Sequence, residues 1–188
     1  VMEMFPSQYI HIGGDEAGKG AWKTCPLCQA RMKKEGLKNV DELQSYLIHR
    51  IERFLNANGR DLLGWDEILE GGLAPNATVM SWRGEEGGIA AALTNHTVIM
   101  TPGGNGMYLD HYQGDSKIEP VTIGGYSTLE KTYSYNPMPD TLVAMGKEEF
   151  ILGVQGNVWS EYIYSDAKRD YMTFPRILAV AEIGWTPV

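Results

Sequence analysis

Two neighbouring carboxylic acids, Asp15 and Glu16, follow an apolar run that two glycines interrupt: Gln8-Tyr9-Ile10-His11-Ile12-Gly13-Gly14-Asp15-Glu16. Cleavage of a glycosidic bond commonly uses two carboxyl groups near the scissile oxygen. Adjacent residues of a regular strand point to opposite faces, and the Gly13-Gly14 break lets both acids turn to the same side. Crowded beside aromatic rings, one acid can keep its proton for a leaving oxygen while the other stays ionised against developing positive charge. Spacing alone leaves open which acid does which. The same dipeptide recurs as Asp66-Glu67, ahead of Ile68-Leu69. There it is expected to decorate a first helical turn, where acids complement the helix dipole.

Trp65, Trp82 and Trp159, three of the five Trp residues, each close a β-like run. Tyr108/Asp110 and Trp159/Glu161 are separated by one residue, a spacing that places both side chains on one face of extended chain. Each pair sets a ring beside a carboxylate. Sugars use both, because their C–H faces lie on rings and their hydroxyls donate to carboxylates. Asp15, Glu16, Trp65, Trp82, Tyr108, Asp110, Trp159 and Glu161 therefore form the candidate site. His11 is read as hydrogen-bonded support behind the acids, and Trp22, Arg83 and His111 as structural or rim residues.

The elements that must carry these residues follow from apolar periodicity. Strands are expected at 8–12, 61–65, 78–82, 97–100 and 150–155. A helix is expected over 40–58, where Leu43, Leu47, Ile51, Phe54 and Leu55 recur at helical spacing. Asn39 can cap it, Glu42 holds the capping-box position and Gly59 can end it. A short helix is expected over 86–93, closed by Thr94-Asn95, and a long loop over 105–139. Helix-like sequence runs from 166 to 185 with a break near Pro175. Met2-Glu3-Met4-Phe5 reads as the tail of a helix.

Apolar strands joined through helices imply a parallel sheet covered by helices. In such folds ligands bind at the carboxyl ends of the strands, where all the candidates fall. Five units are too few for a closed (β/α)8 barrel, which takes about 250 residues. The expected fold class is α/β: about five parallel strands with flanking helices, either an open sheet or part of a TIM barrel.

A formal net charge of −8 argues against nucleic-acid or anionic-membrane partners, which need basic surface. No apolar run approaches the roughly 20 residues that cross a bilayer, and no basic segment followed by an apolar one opens the chain. Cys25-Pro26-Leu27-Cys28 has no second cysteine pair to complete a zinc site. Two thiols in a solvated loop, or one local disulfide, are expected there, with no metal and no cofactor. Asn76-Ala77-Thr78 and Asn95-His96-Thr97 match the glycosylation acceptor pattern, which matters only in a secretory eukaryotic host.

His11-Ile12-Gly13-Gly14-Asp15-Glu16 resembles the signature of family 20 glycoside hydrolases, the β-N-acetylhexosaminidases. The likeness continues in order through Gly64-Trp65-Asp66-Glu67-Ile68, Ser81-Trp82-Arg83-Gly84, Tyr108-Leu109-Asp110 and the segment from Gly153 to Glu161. Phe174-Pro175-Arg176 and Ala181-Glu182 with Trp185 resemble the family's last barrel helix. The resemblance implies that residues 1–188 are a partial (β/α)8 catalytic domain, approximately strands 4 to 8. It implies removal of terminal N-acetylhexosamine, GlcNAc or GalNAc, from β-linked glycans with retention. The substrate's own acetamido oxygen attacks, through an oxazolinium intermediate, in place of a protein nucleophile. By the same resemblance Glu16 is the acid/base and Asp15 holds the acetamido N–H. Tyr108 donates to the acetamido oxygen, Trp65, Trp82 and Trp159 wall its methyl group, and Asp110 and Glu161 bind hydroxyls. The compartment implied is periplasmic, extracellular or lysosomal-type.

Nothing in the chain matches the family's first three barrel strands, which supply an Arg that grips ring hydroxyls. The isolated chain is therefore expected to have little or no activity, and its exposed barrel edge offers a route to self-association. Three other readings compete. One is a glycosidase with a carboxylate nucleophile about 5–5.5 Å from the acid. Another is a sugar-binding, catalytically incomplete fragment. The third is an open α/β binding protein, weakened in its dinucleotide form by the lack of a Gly-x-Gly-x-x-Gly turn.

Overall fold

The computed structural model describes residues 1–186. Five parallel strands lie side by side in chain order: β1 Tyr9–His11, β2 Asp61–Trp65, β3 Thr78–Ser81, β4 Val98–Met100 and β5 Ile151–Val154. Ile10 pairs with Leu62, Gly64 with Val79, Met80 with Ile99 and Met100 with Val154. All five expected strands form, four of them trimmed at their ends. β1 and β5 are both edges, so the sheet is open. The α/β expectation holds, with the strand order of a barrel and without its closure.

Alternation along the strands divides the apolar residues between two faces. Leu62, Val79, Val98 and Met100 face the helices and pack with Ile48, Leu55, Ala91, Ala92 and Val180. Leu63, Trp65 and Met80 face the other way, with Trp82 and Ile99 against them. The second face leads to the site.

Helix α1 spans Pro26–Glu35 and α2 spans Val40–Ala57. Asn39 caps α2 by accepting from the Asp41 and Glu42 N–H groups at 3.0 and 2.9 Å. Gly59, at φ +67°, ends it. There the Arg60 N–H reaches the Leu55 carbonyl and the Gly59 N–H reaches the Asn56 carbonyl, each at 3.0 Å. This closes the orphan carbonyls of the last turn.

Several expectations change. The Glu42 carboxylate accepts from Lys38 N–H at 2.8 Å, one residue before the cap, so the capping box is displaced. The buried face of α2 is Gln44, Ser45, Ile48, Glu52 and Leu55, while Leu47 and Phe54 are exposed. Two apolar stripes compete on this helix, and the sheet takes the one that β2 can reach. Cys25 and Cys28 do not lie in a loop. Cys25 occupies the N-cap position of α1 without a side-chain capping bond, Cys28 lies in its first turn, and both are free thiols.

Helix α3, Glu86–Leu93, packs across β3 and β4. A Cβ on its Gly88 would lie 2.6 Å from the Met100 sulfur, so glycine permits the close approach. The region expected to be loop contains α4, Leu129–Tyr133, which packs on the final helix. Next come α5, Asp140–Ala144, then α6, Asp166–Thr173, and α7, Arg176–Trp185, broken at Phe174-Pro175 as expected. The expected helix tail at residues 2–5 is a single turn, in which Phe5 N–H donates to the Val1 carbonyl at 3.0 Å.

Candidate functional site

The carboxyl end of β1 turns sharply. Gly13 and Gly14 adopt φ +73° and +100°, and Glu16 itself sits at +48°. Gly13 accepts the Trp65 N–H at 2.9 Å, which ties this turn to the end of β2. A Cβ on Gly14 would lie 2.6 Å from Ile68 Cγ2. Behind the turn, His11 Nδ1 accepts the Gly13 N–H at 3.0 Å, which places the ring proton on Nε2. The His11 ring also meets Trp65 edge-on, with centroids 4.8 Å apart. Partial desolvation lowers its pKa against an upward pull from Asp15, although the residue remains exposed along the open side of β1. His11 thus touches the turn that carries the acids and one of the indoles.

At the end of β2, Asp66–Leu69 forms a short 3-10 turn. Asp66 and Glu67 open this turn as expected, but they are buried inside it, only 1 % and 6 % exposed. Asp66 Oδ2 accepts the backbone N–H groups of Trp82 and Arg83 at 2.9 and 3.2 Å, and Asp66 Oδ1 accepts the Arg83 Nε–H. Ser81 fixes the same turn by donating to the Gly84 carbonyl at 2.7 Å and accepting the Gly88 N–H at 2.8 Å.

Beyond β4 and β5 the chain continues as a bridge between Tyr108 and Asn157. Asn157 N–H donates to the Met107 carbonyl and Leu109 N–H to the Asn157 carbonyl, both at 2.7 Å. Buried Asn157 also donates through Nδ2 to Thr101 Oγ1 at 2.8 Å. This bridge sets Tyr108 and Asp110 beside Trp159 and Glu161. From below, buried Arg176 donates to the carbonyls of Leu109, His111, Ser127 and Met172.

All eight candidates line one cavity of about 330 Å³, together with His111 and the Ile123-Gly124-Gly125 segment. The Trp65 and Trp159 rings are tilted with centroids 5.8 Å apart, and Trp82 lies nearly parallel to Tyr108 at 6.2 Å. Asp110 is 5 % exposed, and its Oδ1 has no hydrogen-bond partner. Burial pushes its pKa up to about 6, with the Glu161 charge adding to the effect. Burial pushes the Tyr108 hydroxyl up to about 12, so it is a donor at neutral pH. Asp15 and Glu16 line the cavity but remain exposed, contrary to the expectation of half-dry acids, because β1 is an edge strand.

Sequence reasoning missed Asp66, Glu67, Asn157 and the clamping role of Arg176. One signal was available for the first two: Asp66-Glu67 follows a strand end, as Asp15-Glu16 does. Arg176 and Asn157 act through backbone groups distant in sequence, and no local pattern marks them.

Acids and rings gathered at the carboxyl edge of a parallel β/α sheet are the arrangement of barrel-type enzymes. The family model for glycosyl hydrolase family 20, catalytic domain, matches residues 1–188. A β-hexosaminidase of Porphyromonas gingivalis is 60 % identical over 188 residues, covering 100 % of this chain and 24 % of the relative. A β-hexosaminidase of Vibrio furnissii is 36 % identical, covering 98 % of the chain and 30 % of the relative. Among solved structures, the family 20 exo-β-N-acetylglucosaminidase of Vibrio harveyi in complex with N-acetylglucosamine superposes with a TM-score of 0.86 at 33 % identity. That match covers 98 % of this chain and 29 % of that one. The chain belongs to glycosyl hydrolase family 20. It spans about a quarter to a third of the length of these curated relatives.

Proposed function

We propose that these residues form the acid and acetamide-binding half of a β-N-acetylhexosaminidase site, corresponding approximately to strands 4 to 8 of a barrel. The observation that carries this reading is the convergence of three indoles, Tyr108 and the Asp15-Glu16 pair on one cavity. Indole faces suit a methyl group and sugar C–H groups. The protonated Tyr108 hydroxyl suits an acetamido oxygen, and the unpartnered Asp110 oxygen suits a sugar hydroxyl.

In the reaction, Glu16 protonates the leaving oxygen. The 2-acetamido oxygen of the substrate attacks the anomeric carbon as the glycosidic bond breaks. Asp15 accepts the acetamido N–H and stabilises the cationic oxazolinium ring. Water, deprotonated by Glu16, then opens that ring, so the configuration is retained. Asp110 and Glu161 hold ring hydroxyls. The substrates are β-linked glycans ending in GlcNAc or GalNAc, and the family's usual compartments are outside the cytoplasm.

The test is turnover of a chromogenic N-acetylglucosaminide by the full-length gene product that carries this chain, with and without Glu16→Gln. Loss of about 10²–10⁴-fold is expected, the usual worth of a general acid/base, along with inhibition by a thiazoline mimic of the oxazolinium ring. Unchanged turnover in Glu16→Gln, or indifference to the thiazoline, would overturn the reading. A sugar-binding fragment without turnover is the second reading. The exposure of Asp15 and Glu16 at an open sheet edge favours it for the 188 residues alone.

A further inference from the structure

Glu67 is a buried carboxylate outside the eight cavity-lining candidates, and both of its oxygens are committed towards that site. Its Oε2 accepts the indole Nε1–H of Trp82 at 2.9 Å, and its Oε1 faces the backbone N–H of Glu16 at 3.4 Å. The first is a normal hydrogen bond to a charged acceptor, and the second is a long one. Both partners are cavity residues, one a wall and the other the acid.

Glu67 is itself held from three sides. Gln44, buried on α2, donates to the Glu67 carbonyl at 2.9 Å. Arg83 Nε lies 3.9 Å from Oε2, and the same guanidinium is anchored by Asp66. Ile68, the next residue, packs under Gly14 and Gly64 and fixes the turn. A carboxylate buried to 6 % exposure costs free energy unless hydrogen bonds and charge compensate it. Here the hydrogen bonds come from two cavity residues, Trp82 and Glu16, and the opposite charge from Arg83.

We infer that Glu67 is a positioning residue, coupling the plane of the Trp82 indole to the backbone that carries Glu16. The inference rests on the hexosaminidase reading above. Trp82 has one N–H, and with Glu67 as its acceptor the ring has a single preferred rotation. The main chain at Glu16 has φ +48°, a strained value for a residue with a Cβ, so an external acceptor for its N–H helps to hold it. Through these two bonds the pocket wall and the acid move together.

Glu67→Gln, Trp82→Phe and the double variant test this in the full-length gene product. Glu67→Gln keeps the size but places an NH2 group against one of the two donors. The expected result is a fall in kcat of about 10–100-fold, as small misplacements of reacting groups cost, with KM changing less. The Trp82 indole N–H resonance, assigned by its absence in Trp82→Phe, should shift and exchange faster with solvent. Because the 2.9 Å bond runs through the indole, the double variant should lose less than the product of the single losses. An unmoved indole resonance, or full additivity, would overturn the inference. The resonance is readable in the 188-residue chain whether or not it turns over. A chain that stayed active as Glu16→Gln would defeat the hexosaminidase reading and leave the Glu67–Trp82 measurement to be judged on its own.

Discussion

Arg176 holds the chain on both sides of Asp110 without spending its hydrogen bonds on the Asp110 carboxylate. Its guanidinium donates to the carbonyls of Leu109 and His111, the two residues that flank it. The aspartate is thereby fixed in place while Oδ1 stays unpartnered. Burial, against the pull of nearby carboxylates, lowers the Arg176 pKa to about 10, so it remains charged at neutral pH.

Arg176→Leu should therefore remove four donations to buried or half-buried carbonyls at once. Each orphaned buried acceptor costs about 1–3 kcal/mol, so a loss of roughly 3 kcal/mol or more is expected in urea unfolding. Saccharide affinity should fall with it. A midpoint unchanged from the parent would show that these carbonyls find other partners.

Asp110 should make stability fall as pH rises. Its folded pKa, about 6, lies above the unfolded value of 3.8. Between these values the folded state holds a proton that the unfolded state has released, so each step up in pH favours unfolding. The contribution is fully present below about pH 4 and is lost by about pH 6 to 7. Its size is on the order of 3 kcal/mol, because each tenfold gain in proton affinity on folding is worth about 1.4 kcal/mol. Melting curves of the parent and Asp110→Asn across this window check it. The variant should lose the downward slope, and parallel curves would contradict the assignment.

Gly14→Ala should damage the acid turn. The residue sits at φ +100°, and the new methyl would meet Ile68 Cγ2 at 2.6 Å. Strain of this kind costs about 1–3 kcal/mol. The expected outcome is a lower melting temperature together with a displaced Trp65 backbone amide resonance, since the Gly13 carbonyl accepts the Trp65 main-chain N–H. Gly18→Ala is the control, because a Cβ there meets nothing within 4 Å. Equal effects of the two substitutions would refute the steric argument.

The 188-residue chain alone is expected to bind the thiazoline mimic weakly and to turn over the chromogenic glycoside poorly or not at all. Titration of binding and an end-point assay settle both parts, and vigorous turnover would refute the second.

Much of this was legible because the signals were local. Asn39 and Gly59 bracket α2 as their capping chemistry demands, and apolar runs ending in Trp65 and Trp82 marked where strands meet the site. What failed to show depended on contact. Leu47 and Phe54 fit a helical stripe as well as Ile48 and Leu55 do, and only the position of β2 decides between them. Helix α1 has no apolar face to betray it. Pro26 at its start and Gly36 at φ +71° define it, and the Cys-Pro-Leu-Cys spacing drew attention elsewhere. The sequence placed Asp66 and Glu67 in a first helical turn but hid their burial, because their partners, Trp82 and Arg83, lie 15 to 17 residues away.

Because Asp15 and Glu16 follow β1, an edge strand among the described residues, one side of the acid turn has no strand beside it. Any polypeptide that zips onto that margin would come to stand beside this acid pair. Under the proposed hexosaminidase reading that margin is a cut line for a split protein: two pieces mixed in a tube would report their reunion as glycoside cleavage.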